Sequence, residues 1–198
     1  MDRIREGKQQ EILKAAVRVF AQKGFHGAKM ARIAQEAGVS AGTLYNYFSD
    51  KDHILDRIFE TVCQKVCQGI DMIMVRDDFS CPEKMDAVID LFLDALGPDL
   101  DLIVLFANEF EPRVRGEDSI FLRDYLHFKA MVIQLIQRGE DEKCFNPHIP
   151  AAIAFEFILG GLNRSLYAMA RSSIPYDLGT MRRNVKGMIK KGIVFNEE

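Results

Sequence analysis

Gly38 fixes the reading of the residues around it, because it separates two short stretches that each carry an apolar face at helical spacing. Met30, Ile33, Ala34 and Ala37 recur at intervals of three and four, which predicts a first short helix. A residue without a Cβ can take the left-handed conformation that closes a helix, so Gly38 predicts its stop. Val39 then points back into the core. Ser40 suits the N-cap of a second helix in which Leu44 and Phe48, four apart, form the buried stripe. Ala41, Gly42, Thr43, Asn46 and one of Tyr45 or Tyr47 are left facing outward. Two small residues at the start of an exposed helix let its backbone approach another surface closely. The hydroxyls and the amide that follow can hydrogen-bond to phosphates or base edges. This is the pattern of a helix-turn-helix, whose second helix enters the major groove of DNA.

The matches run in order: Gly24-Phe25, Ile33-Ala34, Ala37-Gly38-Val39-Ser40, Gly42-Thr43-Leu44-Tyr45, Tyr47-Phe48 and Lys51. Over roughly the first quarter of the chain this set closely resembles the N-terminal domain of tetracycline-repressor-like (TetR-type) regulators. The resemblance implies that Ala41, Gly42, Thr43, Tyr45 and Tyr47 face DNA and that Lys51 meets a phosphate at the start of the next helix. One departure stands out. The family usually has Thr or Ser at the entry to the first helix of the motif, where this chain has Ala28 and Lys29. The Lys29 ammonium can replace a phosphate contact but cannot cap the helix.

A formal net charge of −3 looks wrong for a DNA binder until it is divided along the chain. Nine lysines and arginines against five acids leave residues 1–51 at +4, so the other 147 residues hold −7. A basic head on an acidic body is what phosphate binding needs, since the electrostatic term depends on local charge. The alternative is a chance cluster of surface lysines. At 198 residues and 48% hydrophobic, the chain is long enough for one substantial core or two small ones. No apolar run reaches the roughly 20 residues needed to span a bilayer, and the charged start precedes no signal-peptide core. The expectation is a soluble, cytoplasmic protein whose four cysteines are reduced.

Helical periodicity continues throughout. Lys8 to Lys23 reads as a first helix with Ile12, Leu13, Ala16, Val19 and Phe20 on one stripe, ended by Gly24, with Phe25 beneath the motif helices. Arg3, Arg5 and Lys8 form either a short arm reaching phosphates or a frayed, solvated terminus. From about Lys51 a helix of some 20 residues links head to body, its stripe running from Ile54 to Ile73 after the start signal Ser49-Asp50-Lys51-Asp52. Four more segments follow, marked by Met85 to Leu96, Leu102 to Phe110 (ended at Pro112), Ile120 to Ile136 (ended by Gly139) and Pro150 to Arg171. A last helix starts after Pro175. The predicted architecture is all-α: a three-helix helix-turn-helix DNA-binding domain at 1–50, then a helical ligand-binding and dimerisation domain at 51–198, with helix 51–75 joining them.

Ala151 to Leu162 is apolar nearly all the way round, so it must be covered on more than one side. The cover is either the same helix of a second subunit or the chain's own core. Two reading helices related by a two-fold axis would read a pseudo-palindrome.

The expected DNA-binding residues are Lys29, Ala41, Gly42, Thr43, Tyr45, Asn46, Tyr47 and Lys51. Candidate ligand-binding residues are Phe106, Asn108, Glu109, Tyr125, Phe128, Glu156, Asn163 and Tyr167. Glu156, Asn163 and Tyr167 share a helix face and either bind a ligand or are satisfied polar groups at a dimer seam. Phe92, Phe106, Phe110, Tyr125, Phe128 and Phe157 either wall an apolar pocket or are core. Cys63 and Cys67, four apart, read as structural: a disulfide within one helix constrains little, and zinc-site spacing is absent. No catalytic group, cofactor or metal is expected. The implied function is a homodimeric regulator, more often a repressor, released from operator DNA by a small, largely apolar ligand. The alternative is a helical carrier or enzyme whose head no longer binds DNA.

Overall fold

The computed structural model describes residues 2–114, 120–171 and 177–193, with backbone alone for 2–4 and 193. Among the described residues there are nine helices and no β-strand: α1 (Asp2–Lys23), α2 (Met30–Glu36), α3 (Ala41–Tyr47), α4 (Lys51–Met74), α5 (Cys81–Leu96), α6 (Leu100–Val114), α7 (Leu122–Asp141), α8 (Ala151–Arg171) and α9 (Leu178–Ile193). The all-α reading holds. Two compact units emerge, Met1–Val62 with Asp99–Leu122, and Cys63–Pro98 with Arg123–Glu198. Helix α4 contributes to both.

In the first unit α1 packs against α2 and α6, burying Ile12, Leu13, Ala16, Val19 and Phe20. It begins at Asp2 rather than Lys8, so Arg5 and Lys8 are helical and form no free arm. Arg5, Glu6 and Lys8 are good helix formers that outweigh Gly7, and Lys8 pairs with Glu11 at 2.8 Å. The Arg3 side chain lies outside the described residues. Gly24 takes φ +71° and ends α1, and Phe25 tucks its ring 5.3 Å from Phe20. Helix α6 does not stop at Pro112 but runs on to Val114. So close to the helix end the proline removes one hydrogen bond at most. Arg113 holds the last turn in place by pairing with Asp52 and Asp56 while its guanidinium lies 5.1 Å over the Phe25 ring. At the centre sits Phe59, fully buried, ringed by Phe106, Phe110 and Phe121 at 4.6, 5.2 and 5.4 Å.

The second unit opens α5 with a capping box: the Ser80 backbone N–H donates to Glu83 Oε2 at 2.8 Å, and Pro82 occupies the first turn. Lys84, 3% exposed, places its ammonium 2.9 Å from the Met74 carbonyl at the end of α4. A charge ladder ties α5 to α9. Arg182 meets Asp90 and Asp94, Lys186 meets Asp90, and Lys190 meets Asp86 at 2.7 Å. Each exposed pair contributes little, but basic residues four apart facing acids four apart fix one antiparallel register. Gly139 lies inside α7, which continues to Asp141. Its missing side chain makes room for the buried Phe145 ring, since a Cβ there would stand 2.1 Å from Phe145 Cδ2. Ile120 precedes α7 in a turn, and Pro175 lies outside the described residues.

Helix α8 buries Ala151, Ala154, Phe155, Ile158, Leu162, Leu166 and Met169 on one stripe. Ile153 and Phe157 on the opposite face are 61% and 79% exposed. Among the described residues the chain's own core therefore does not cover that face, and Phe157 points to solvent.

Candidate nucleic-acid interface

Three local devices build the reading head. The first is the turn: Gly38 adopts φ +64°, and the Val39 N–H reaches back to the Ala34 carbonyl at 3.0 Å, closing α2 with a six-to-one bond. The second is the cap on α3. Ser40 is extended at φ −70° and ψ 155°, and its Oγ accepts the Thr43 N–H at 3.0 Å while sitting 2.8 Å from the Thr43 hydroxyl. The third is the anchor, Leu44 and Phe48, at 0% and 1% exposure. With those two buried, the outer face of α3 follows from helix geometry: Ala41, Gly42, Tyr45 and Asn46 are exposed, and Thr43 and Tyr47 are half-buried.

Tyr45 is the outward tyrosine, 55% exposed. Tyr47 lies beneath the guanidinium of Arg5, 5.9 Å from ring centroid to cation. Arg5 thus joins the head from α1, a neighbour that no local pattern in the sequence announces. Lys29 is exposed and adopts the extended N-cap geometry of α2 without a side-chain cap bond, as its chemistry requires. Its carbonyl nevertheless accepts the Arg32 and Ile33 N–H groups at 3.0 and 3.2 Å, so α2 starts where the periodicity predicts. Lys51 is turned inward: its ammonium donates to the Phe25 and His26 carbonyls at 3.0 and 3.1 Å and lies 4.7 Å over the Phe25 ring. It ties the α1–α2 loop to the start of α4. Asp50 caps α4 by accepting the His53 N–H at 2.8 Å; that bond, then one from Ser49, holds its carboxyl below the usual range.

Replacing Ser40 by Ala removes the α3 cap and should cost about 1 kcal/mol, a fall of about 2–4 °C in Tm for a chain of this size. Thermal unfolding followed by circular dichroism checks it, and an unshifted transition would show that the cap bond contributes nothing.

The ligand candidates are dispersed. Phe106, Asn108 and Glu109 lie on α6 in the first unit, where Phe106 belongs to the Phe59 cluster and Asn108 is exposed. In the second unit an apolar void of about 20 Å³ is lined by residues of α5, α7 and α8, among them Met85, Phe92, Phe128, Val132, Phe155 and Leu162. Phe128 is the one candidate of the eight on its wall. Glu156 is exposed and paired with Lys129, and Asn163 and Tyr167 are half-buried on α8. The Cys63 thiol is pushed up to about 12, chiefly by burial and secondarily by Asp124, which suits a structural cysteine.

The family model for bacterial regulatory proteins of the tetR family matches residues 12–58, which takes in α2, α3 and the start of α4. An HTH-type transcriptional regulator of Bacillus subtilis, YfiR, is 31% identical over 175 residues, covering 82% of each chain. The chain belongs to the TetR family of bacterial regulatory proteins. As a TetR-family member it is a DNA-binding transcriptional regulator. A second relative of this TetR-family chain, the fatty acid metabolism regulator protein of B. subtilis, is 27% identical over 192 residues, covering 94% of this chain and 95% of that one. The crystal structure of FadR from B. subtilis, solved in complex with stearoyl-CoA, shares the fold at a TM-score of 0.74 and 22% identity, covering 92% of this chain and 98% of that one. These relatives are named as regulators. No helix among the described residues is long and apolar enough to cross a membrane.

Proposed function

We propose that this TetR-family regulator is a cytoplasmic homodimeric repressor that leaves a pseudo-palindromic operator when its body takes up an acyl chain, as a fatty acid or its thioester. The observation that carries the DNA-binding half is the outer face of α3. Ala41 and Gly42 present bare backbone next to Thr43, Tyr45, Asn46 and Tyr47, on a helix fixed from below by Leu44 and Phe48. Lys29 supplies a phosphate contact at the entry to α2. Lys51 acts from behind, holding the loop at Phe25 and His26 so that α2 and α3 keep their angle.

The acyl-chain reading rests on two supports. The void between α5, α7 and α8 is lined by apolar residues, and the nearly full-length relative is named for fatty acid metabolism. Pockets for small molecules run to roughly 300–1,000 Å³, so a space of about 20 Å³ has to widen to take one. Uptake of a chain pushes those helices apart. Ligand and DNA then weaken each other's binding by the same factor.

Fluorescence anisotropy with the DNA flanking the protein's own gene tests this. Affinity should fall steeply with salt, by about 10³ or more between 50 and 200 mM if six or more phosphates are neutralised. A long-chain acyl-CoA should release the complex. Background binding to that DNA at low salt sinks the DNA-binding half, and an operator complex indifferent to acyl chains of every length sinks the ligand half.

Dimerisation has its own support in the uncovered face of α8. Ile153 and Phe157 lie there with Gly160 and Gly161, whose missing side chains leave open space for a close helix approach, and Met188 of α9 is 72% exposed. In a two-fold interface each residue counts twice, so Phe157→Lys should remove about 3–6 kcal/mol of association, a shift of about 10²–10⁴ in the dimer Kd. Sedimentation analysis reads it directly; a variant as dimeric as the parent places the interface elsewhere.

A further inference from the structure

Cys67 and Asp71 stand one turn apart on α4, and α7 places His127 opposite them. Their ligand atoms, one each from thiol, carboxylate and imidazole, all lie within 4.8 Å of one another. His127 Nε2 is 2.7 Å from Asp71 Oδ1, so the ring is already aimed at the carboxylate. We propose that Cys67, Asp71 and His127 form a binding site for a divalent transition-metal ion of the zinc class, with water in the open position.

The donor set selects the ion. Calcium and magnesium take oxygen ligands, whereas thiolate with imidazole and one carboxylate suits zinc and cobalt. Tetrahedral zinc, with bonds of about 2.0–2.3 Å, sets its ligand atoms about 3.3–3.8 Å apart. The histidine–aspartate pair has only to open, and the thiol to swing in, by about 1 Å or less. Asp71 is exposed and Cys67 and His127 are half-buried, so side-chain rotation suffices.

Asp124, one turn before His127 on α7, is 8% exposed and pairs with Arg123 at 3.5 Å. As the sulfur–metal bond forms, the thiol proton leaves to solvent and no electron is transferred. Thiolate and Asp71 then balance the dication. A bound ion would cross-link the second half of α4 to α7.

Cobalt(II) added to the reduced, full-length chain is the probe. One equivalent should produce a thiolate-to-cobalt charge-transfer band together with the visible bands of four-coordinate cobalt, and zinc(II) should abolish both. Cys67→Ser should lose the charge-transfer band. His127→Ala and Asp71→Asn should weaken cobalt binding by more than about 100-fold, since even an outer partner of a ligand is worth 10–100-fold. Cys81→Ser and Cys144→Ser should bind as the parent does. Circular dichroism without metal establishes that each variant is folded, and the exposed Asp71→Asn change carries the test if Cys67→Ser does not fold. No band in the parent, or a band that survives Cys67→Ser or full-affinity binding by His127→Ala, overturns the proposal. The readout uses no DNA and no acyl chain, so its failure leaves the regulatory reading untouched.

Discussion

Gly42→Glu is expected to abolish operator binding while leaving the fold intact. Gly42 is exposed on the first turn of α3, and a Cβ built there would meet nothing nearer than Ser40 Oγ at 3.9 Å. Its backbone is not in the left-handed region, so a side chain brings no strain there. An acidic group at a helix N-terminus is mildly favourable, worth a few tenths of a kcal/mol. The thermal transition should therefore stay where it is or rise slightly. Against DNA the same side chain fills the space that α3 needs for close approach, and it brings a carboxylate toward the phosphates. A two-fold dimer carries the lesion twice. If each copy costs at least about 1.4 kcal/mol, affinity drops by more than about 100-fold. Anisotropy titrations beside thermal melts separate the two effects. Parent-like affinity in a folded Gly42→Glu protein would remove the first turn of α3 from the interface.

The largest loss of stability is expected at Phe59→Ala. The ring is fully buried, and three others lie within 5.4 Å of it, each in an edge-to-face arrangement. Truncating a buried phenylalanine costs about 3–5 kcal/mol, and the lost aromatic pairs add to it. That is a large part of the 5–15 kcal/mol that stabilises an ordinary domain. Phe106 and Phe110 of α6 and Phe121 from the turn before α7 would surround a hole with walls from two separate segments, so it cannot collapse easily. Phe59→Leu keeps most of the volume and should cost about 1–2 kcal/mol. Urea unfolding compares the pair; a Phe59→Ala loss below about 1.5 kcal/mol would mean that the cluster relaxes into the gap.

What the sequence made legible is what neighbouring residues determine among themselves. The left-handed Gly38, the Ser40 cap and the Leu44 and Phe48 anchor each depend on residues within five positions, and each appears at its expected place. Periodicity says which face of a helix is apolar but not what comes to meet it. Periodicity therefore leaves Phe106 and Phe110 open between pocket wall and core, and they close around Phe59; Phe157, left open in the same way, points to solvent. Pro112 read as a stop because the Arg113 contacts that hold the following turn come from Asp52, Asp56 and Phe25, far away along the chain. Arg5 above Tyr47, and His127 beside Asp71, have the same origin.

The void in the second unit, small enough for about one water, has a kinetic consequence. On the proposed reading, an acyl chain fits there only once α5, α7 and α8 have parted. Observed association rates should therefore level off at the opening rate as ligand concentration rises, instead of climbing in proportion. Stopped-flow traces that stay linear into the millimolar range would mean that the chain enters by another route. On that reading, the protein's response time is set by its own breathing rather than by how much lipid is present.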